Sequence, residues 1–288
     1  MTRRTMALTL LSSGLVWAGL SAVAWCAERP QMHTRRAYNG FDRNDYPGDA
    51  LLDGLRASFS YAGYWLNAPP GEKATSWTGK RELLRQKGFG FLILFNGRLY
   101  AQLKGKDAAA LGRADAQGAV AAAQREGFPR GAMIFLDQEE GGRLLPEQMA
   151  YVLAWVDFVR RLGWRSGVYC SGIEVQQGGA ASTDPRSTAE DLERQAGSWK
   201  IPLWVARDEC PPSPGCVVEG KPELPSELGL PGAVVWQYAM SPRRAQFTAA
   251  CPRNYAADNN CYAPGVAASA KSFIDLNVAE SPDPSDGR

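Results

Sequence analysis

The sequence contains a single histidine among its 288 residues, His33, which lies near the start of the chain. Hydrolases of the serine or cysteine triad type need histidine as a general base, and histidine is a frequent ligand of zinc. With one histidine outside any strong pattern, we expect neither chemistry, and no metal or other cofactor. Any catalysis by this chain should therefore use carboxyl groups.

An excess of positive charge is also missing. The formal net charge is only +2, and no long block of lysine and arginine occurs. Proteins that bind nucleic acid usually carry a concentrated basic surface. Nucleic acid is therefore not an expected partner.

Residues 1–24 have the features of an export signal. Two arginines precede an apolar stretch, and Ala22 and Ala24 form a small-residue site for signal peptidase. We predict a cleaved signal over 1–24, a short lead over 25–35 and an exported, monomeric protein with no membrane contact after cleavage. The alternative is an uncleaved anchor, because the stretch approaches the roughly 20 residues that span a bilayer.

The type of signal stays open between two export routes. Arg3 and Arg4 resemble a twin-arginine signal, but the following positions match it poorly, so the general secretory route is preferred. Cys26 is disfavoured as a lipidation site because Trp25 is too bulky for the residue before a lipidated cysteine.

Six cysteines in an exported chain are compatible with disulfides. Cys210 with Cys216, and Cys251 with Cys261, are close pairs in loop-forming segments and are the predicted bridges. Cys170 ends an apolar run and is expected to be a buried free thiol.

Eight short apolar runs, mostly separated by helix-like segments, follow the lead. The runs cover 37–42, 58–66, 89–96, 132–137, 166–170, 202–206, 233–238 and 272–277, and the helix candidates cover 49–56, 77–87, 107–126, 146–162 and 187–198. This alternation predicts an α/β protein with a (β/α)8 TIM-type barrel over 36–278. Helices should be shortened or missing in its last third, and 279–288 should form a disordered tail.

Polar residues close several of the predicted strands. Because working sites of such barrels lie at the C-terminal strand ends, we expect these residues at one mouth: Asp42, Asn96, Asp137 with Glu139, Tyr169, Gln237 with Tyr238, and Asp275.

The acids of A-M-I-F-L-D-Q-E-E-G-G, residues 132–142, are the strongest feature of this set. Side chains alternate along a strand, so Asp137 and Glu139 share a face, while Glu140 points away. Two crowded acids raise each other's pKa, which can keep one protonated for general-acid catalysis. Glycoside cleavage needs such a pair, although a D-x-E triplet in a solvated turn would have no function.

Aromatic residues on the predicted strands are candidates for stacking on sugar rings. Some must belong to the core, and Tyr238 is preferred for the mouth over the others, which are Tyr64, Trp65, Trp204 and Trp236.

An ordered set of six motifs resembles glycoside hydrolase family 25 lysozymes and, more closely, exported bacterial glycoside hydrolase-like domains of unknown function. The motifs are G-F-D (40–42), F-L-D-Q-E (135–139), G-V-Y-C-S (167–171), L-W-V-A (203–206), V-W-Q-Y (235–238) and I-D-L-N (274–277).

This resemblance implies a (β/α)8 barrel and, in the lysozymes, cleavage of peptidoglycan. It implies Glu139 as general acid, Asp137 as its partner and Asp42 and Asp275 as supporting carboxylates. It further implies that Trp236, Gln237 and Tyr238 line the cleft. The chain departs from the lysozymes after its first strand, where G-F-D-R-N-D has no small polar residue next to the aspartate.

Two functions follow as hypotheses. The first is an exported glycosidase of the muramidase type acting on peptidoglycan or a related polysaccharide. The alternative is a barrel of the cell envelope that binds glycan without cleaving it. A structural protein without a ligand ranks below both.

Overall fold

A computed structural model gives the architecture of the chain over residues 35–175, 185–197, 199–208, 223–244, 257–263, 265–266, 269 and 272–288. Its eight strands form a closed barrel in which each strand pairs with its neighbours in chain order. The strands are β1 (Tyr38–Asp42), β2 (Tyr61–Trp65), β3 (Gly90–Asn96), β4 (Met133–Gln138), β5 (Arg165–Ser171), β6 (Leu203–Ala206), β7 (Ala233–Ala239) and β8 (Asp275–Ala279). The eight predicted strands and the TIM-type barrel are therefore confirmed.

The last strand runs opposite to the other seven. Strands β1 to β7 pair in parallel, whereas β8 is antiparallel to both β7 and β1. The start of β8 therefore lies at the same end of the barrel as the C-terminal ends of the others, and we call this end the mouth. The connection from β7 to β8 begins and ends there.

Helices follow most of the early strands. They are α1 (Leu52–Ser58), α2 (Arg81–Gln86), α3 (Tyr100–Leu103), α4 (Ala108–Arg125), α5 (Pro146–Arg161) and α6 (Thr188–Ala196). After β6 the described residues contain no α-helix, and a short 3-10 helix covers Pro225–Leu228. The expected loss of helices in the last third is therefore confirmed for this part of the chain. None of the described helices is both long and apolar enough to cross a membrane.

The longest helices, α4 and α5, pack closely because α4 is rich in small residues. Ala116, Ala119 and Ala123 are buried on its inner face. A Cβ atom on Gly112 would lie 2.4 Å from the Tyr151 carbonyl oxygen of α5. The alanine-rich composition thus allows a tight helix pair.

Glycines make room for large side chains inside the barrel. A Cβ on Gly40 would lie 2.0 Å from the ring of Tyr61, and one on Gly167 would lie 2.5 Å from the ring of Phe135. A Cβ on Gly63 would lie 2.5 Å from the Cβ of Asp42. The interior is therefore packed beneath the mouth, as the side-chain layers of such barrels are.

The C-terminal residues correct one prediction, because the segment expected as a disordered tail over 279–288 is ordered. At the end opposite the mouth, the Ser285 amide donates to the Phe91 carbonyl at 2.9 Å, and its carbonyl accepts from the Met133 amide at 2.8 Å. Its hydroxyl accepts from the Ile93 amide at 2.9 Å, and the Asp283 carboxylate accepts from the Phe91 amide at 2.7 Å. Polar composition favoured disorder, but these groups pair with open backbone groups where β3 and β4 begin.

Several predictions fall partly or wholly outside the described residues. They concern the signal over 1–24, the lead over 25–35, His33, and the cysteines Cys26, Cys210, Cys216 and Cys251. Cys261 is buried and disulfide-bonded. The two predicted pairings stay predictions. Cys170 is a buried free thiol, as expected.

Candidate functional site

Four carboxyl groups reach the mouth from three strands. Asp42 ends β1, Asp137 lies one residue before the end of β4, and Glu139 follows β4 directly. Asp275 begins the antiparallel strand β8 and pairs with Asp42 in the register of β1 with β8. Directly opposed residues of an antiparallel pair share a face, so the four acids predicted from the sequence come together, although Asp275 opens its strand instead of closing it.

The carboxyl groups of Asp137 and Glu139 lie next to each other. Asp137 is 2% exposed. Neither of its carboxyl oxygens has a hydrogen-bond partner among the described residues. Burial, and then the charge of Glu139, raises the pKa of Asp137 well above its usual value. The two carboxyl groups adjoin each other, and crowding of two like charges favours keeping one of the groups protonated. The pair therefore retains a proton well above the pH at which a free carboxyl group ionises.

Glu139 is the member of the pair that reaches solvent. Its side chain is exposed at the mouth, yet desolvation by the surrounding protein raises its pKa. The contact with Asp137 and the charge of Arg244 oppose that rise. An accessible carboxyl group with a raised pKa has the properties of a general acid.

Glu140 faces elsewhere, as strand alternation predicts. Its carboxylate accepts a hydrogen bond from the Tyr100 amide at 2.6 Å and another from the Gln148 side chain at 2.7 Å. It thus links the starts of α3 and α5 and takes no part in the acid cluster.

Asp42 is held by two amide side chains. Its Oδ1 accepts from Gln237 Nε2 at 2.9 Å and from Asn277 Nδ2 at 2.7 Å. Burial raises the pKa of Asp42 to about 6, and these two hydrogen bonds limit the rise. Asp42 therefore ionises over a pH range in which the Asp137–Glu139 pair still holds its proton.

Both amides are oriented by further hydrogen bonds. The Tyr169 hydroxyl donates to Gln237 Oε1 at 2.8 Å, and Trp204 Nε1 donates to Asn277 Oδ1 at 2.8 Å. Each amide must then turn its NH2 group toward Asp42. Such a satisfied buried network fixes side-chain positions, and it explains why Gln237, Tyr169 and Trp204 lie near the site.

Asp275 completes the cluster. It accepts a hydrogen bond from the Ser241 amide at 2.5 Å. Burial raises its pKa well above the usual value, and the charges of Asp42, Asp208 and Glu139 add to the rise. Asp208, two residues after β6 and 1% exposed, is thus a fifth acid close to the mouth.

Other predicted binding residues lie away from the acids or are covered. Tyr64 is fully buried on the outer side of β2, where its hydroxyl donates to Glu126 and its ring packs against Trp77 and Phe128. The expectation that Tyr64 contacts substrate does not fit this position. Strand alternation explains the difference, because the inward position is its neighbour Gly63.

The remaining aromatics are mostly core residues in this structure. Trp204 is fully buried and packs against Phe135 and Tyr169. Trp236 and Tyr238 are 2% and 3% exposed, so neither presents an open face for stacking. The low exposure of these three side chains therefore does not support the prediction that they contact a sugar directly.

Asn96 lies beside Asp137, but its side chain hydrogen-bonds to the loop after β2. It is the register partner of Asp137, and its Nδ2 donates to the Ala68 carbonyl at 2.8 Å. It therefore fixes the loop after β2 next to the acids.

Sequence reasoning missed two polar residues of the mouth. Asn277 lies two positions after Asp275, so strand alternation alone places it on the same face. Asp208 lies beyond the L-W-V-A motif of β6, and no periodic signal marks it.

The chain is a closed α/β barrel with carboxyl groups gathered at its mouth. The model of the family described as Rv2525c-like, glycoside hydrolase-like domain matches residues 61–211, and the chain belongs to this family. This confirms the glycoside hydrolase-like resemblance seen in the motifs. No curated protein sequence matches the chain.

Several solved structures are similar to this chain at low sequence identity. The spore cortex lytic enzyme SleM of Clostridium perfringens is 13% identical, with a TM-score of 0.51 over 85% of this chain and 68% of that one. The Tat-secreted protein Rv2525c of Mycobacterium tuberculosis is 12% identical, with a TM-score of 0.49 over 86% and 97%. A family 25 glycosyl hydrolase of Bacillus anthracis is 12% identical, with a TM-score of 0.47 over 86% and 91%.

Proposed function

We propose that the protein is an exported glycosidase that cleaves peptidoglycan or a related polysaccharide by carboxylate acid/base catalysis. The observation that carries this proposal is the Asp137–Glu139 pair, in which a buried acid adjoins an acid that is exposed at the mouth. Membership of a glycoside hydrolase-like family supports the reaction class. The proposed export rests on the signal features of residues 1–24.

In the proposed reaction, Glu139 protonates the oxygen of the glycosidic bond as that bond breaks. Before substrate binds, Asp137 holds the proton of the pair, because its own burial disfavours ionisation. Asp137 passes this proton to Glu139, which gives it to the leaving oxygen. The developing positive charge on the sugar ring then needs a nearby anion or an activated water. In the proposed reaction, Asp42 and Asp275 supply the charge or position the water.

The pH dependence of this proposal follows from the raised pKa values. Glu139 acts as an acid only while protonated, and the pKa of Asp42, about 6, sets where that carboxylate becomes negatively charged. Activity should therefore decline on the alkaline side as the pair loses its proton, and on the acid side as the supporting carboxylates become neutral.

A matched pair of substitutions tests the assignment. Glu139→Gln keeps the shape of the side chain but removes its acidity, whereas Glu140→Gln makes the same change on a residue that faces α3 and α5. We expect only the first to abolish release of reducing ends from purified peptidoglycan, with a loss of roughly 10²–10⁴-fold.

Binding measured on the same proteins distinguishes the alternative function. If the wild-type protein sediments with peptidoglycan and releases no reducing ends, the chain is a glycan-binding barrel and the glycosidase proposal is wrong.

A further inference from the structure

Arg43 directly follows Asp42 and departs from the lysozyme pattern at that position. Its Nε and Nη1 atoms are buried and have no hydrogen-bond partner among the described residues. A buried donor without a partner costs about 1–3 kcal/mol, and more when it is charged. The guanidinium therefore has unused capacity to donate to an acceptor oxygen of a ligand.

The backbone around Arg43 is fixed by two tryptophans. Trp65 Nε1 donates to the Arg43 carbonyl at 3.1 Å, and Trp77 Nε1 donates to the Asn44 carbonyl at 2.9 Å. The Asn44 side chain in turn donates to the Pro70 carbonyl at 3.2 Å. A site on a backbone held in this way loses little freedom when it binds a ligand.

Arg43 lines a cavity of about 270 Å³ at the rim of the mouth. The same cavity is lined by Asp275 of the acid cluster, by Asp45 and Glu72 on neighbouring loops, and by Phe273. Phe273 is 39% exposed, so part of its ring is open to a ligand. Pockets for small molecules measure roughly 300–1,000 Å³, and this cavity therefore fits a single ring better than an oligosaccharide.

These groups match the chemistry of a sugar. A sugar ring presents an apolar face for an aromatic side chain, acceptor oxygens for a guanidinium, and hydroxyl or amide donors for carboxylates. The carboxylates of Asp45 and Glu72 outweigh the one guanidinium and repel an acidic sugar. We propose that Arg43, Phe273, Asp45 and Glu72 form a subsite of the cleft that binds one uncharged sugar residue next to Asp275. This subsite rests on the proposed function for its place in a glycan cleft.

The subsite can be tested by binding without turnover. Isothermal titration of the Glu139→Gln protein compares chitotetraose, an uncharged oligomer of N-acetylglucosamine, with the acidic oligomer tetragalacturonate. We expect chitotetraose to bind at least tenfold more tightly. In the same background, Arg43→Met and Phe273→Ala should each weaken chitotetraose binding by roughly tenfold or more.

Two further variants separate ligand contact from general effects. Phe273→Tyr keeps an aromatic face and should retain binding, and Arg125→Met removes an exposed arginine from the end of α4 and should change nothing. Arg43 has unpaired buried donors, and its charge is attracted by Asp45 and Asp275. These effects oppose each other, so Arg43→Met should change the thermal midpoint little. A purely structural arginine would lower the midpoint when replaced.

The subsite is refuted if Arg43→Met and Phe273→Ala bind chitotetraose as tightly as their parent, if chitotetraose does not bind, or if tetragalacturonate binds equally well. The proposed function is judged separately, by release of reducing ends from peptidoglycan by the wild-type protein. Arg43-dependent binding without any such release would retain the subsite and reject the glycosidase.

Discussion

Replacing Asp42 by asparagine should change how the stability of the fold depends on pH. Burial raises the pKa of Asp42 from the ordinary 3.8 to about 6, so the folded protein binds a proton here more tightly than the unfolded chain. Such a group contributes fully to stability below pH 3.8 and loses that contribution as the pH rises through about 6. The difference corresponds to about 3 kcal/mol, most of which falls between pH 4 and pH 8.

Asparagine at position 42 does not ionise, so the fold loses no stability at this position as the pH rises. Its side chain still offers an oxygen to Gln237 and Asn277. Urea unfolding at both pH values gives the stability difference between Asp42→Asn and wild type. We expect that difference to shift by about 2–3 kcal/mol in favour of the variant from pH 4 to pH 8.

Asp53→Asn is the matched control, because the Asp53 side chain is 78% exposed and pairs with Lys87. An exposed pair contributes about 0–1 kcal/mol, so this variant should show a small difference that is similar at both pH values. If the difference for Asp42→Asn is the same at pH 4 and pH 8, or shifts the other way, burial does not set the charge of Asp42.

Three other substitutions probe the support of the site. Gly63→Ala places a Cβ 2.5 Å from that of Asp42, so it should cost about 1–3 kcal/mol in urea unfolding and reduce glycan cleavage. Trp204→Phe leaves Asn277 Oδ1 without its donor, which should cost about 1–3 kcal/mol and lower the rate of reducing-end release. Ser285→Ala removes a buried acceptor from a β3 amide and should cost about 1–3 kcal/mol while leaving cleavage unchanged, since it lies opposite the mouth. Equal stability of any of the three with wild type would contradict the packing or bonding described for it.

The sequence predicted the barrel well because strand and turn patterns are local. All eight runs became strands, and alternation correctly separated Asp137 and Glu139 from Glu140. Alternation applied to β2 would also have placed Tyr64 outside, because Tyr64 is adjacent to the inward-facing Gly63. The prediction of a sugar contact at Tyr64 rested on its aromatic side chain instead.

Long-range arrangement was beyond the sequence pattern. The reversed direction of β8 requires the connection from β7 to begin and end at the mouth, and no local signal gives strand direction. The C-terminal residues are ordered because they hydrogen-bond to backbone groups at the start of β3 and β4. Amino-acid composition does not show such contacts. The bonding of Asp42 to Gln237 and Asn277 joins strands far apart in the chain, so its members were predicted singly and not as a network.

The central claim is that the Asp137–Glu139 pair cleaves glycosidic bonds. The most direct measurement is the rate of reducing-end release from purified peptidoglycan by the wild-type, Glu139→Gln and Glu140→Gln proteins. We expect release by the wild type, roughly 100-fold less or lower by Glu139→Gln, and near wild-type release by Glu140→Gln. Equal release by all three proteins, or none by the wild type, would contradict it.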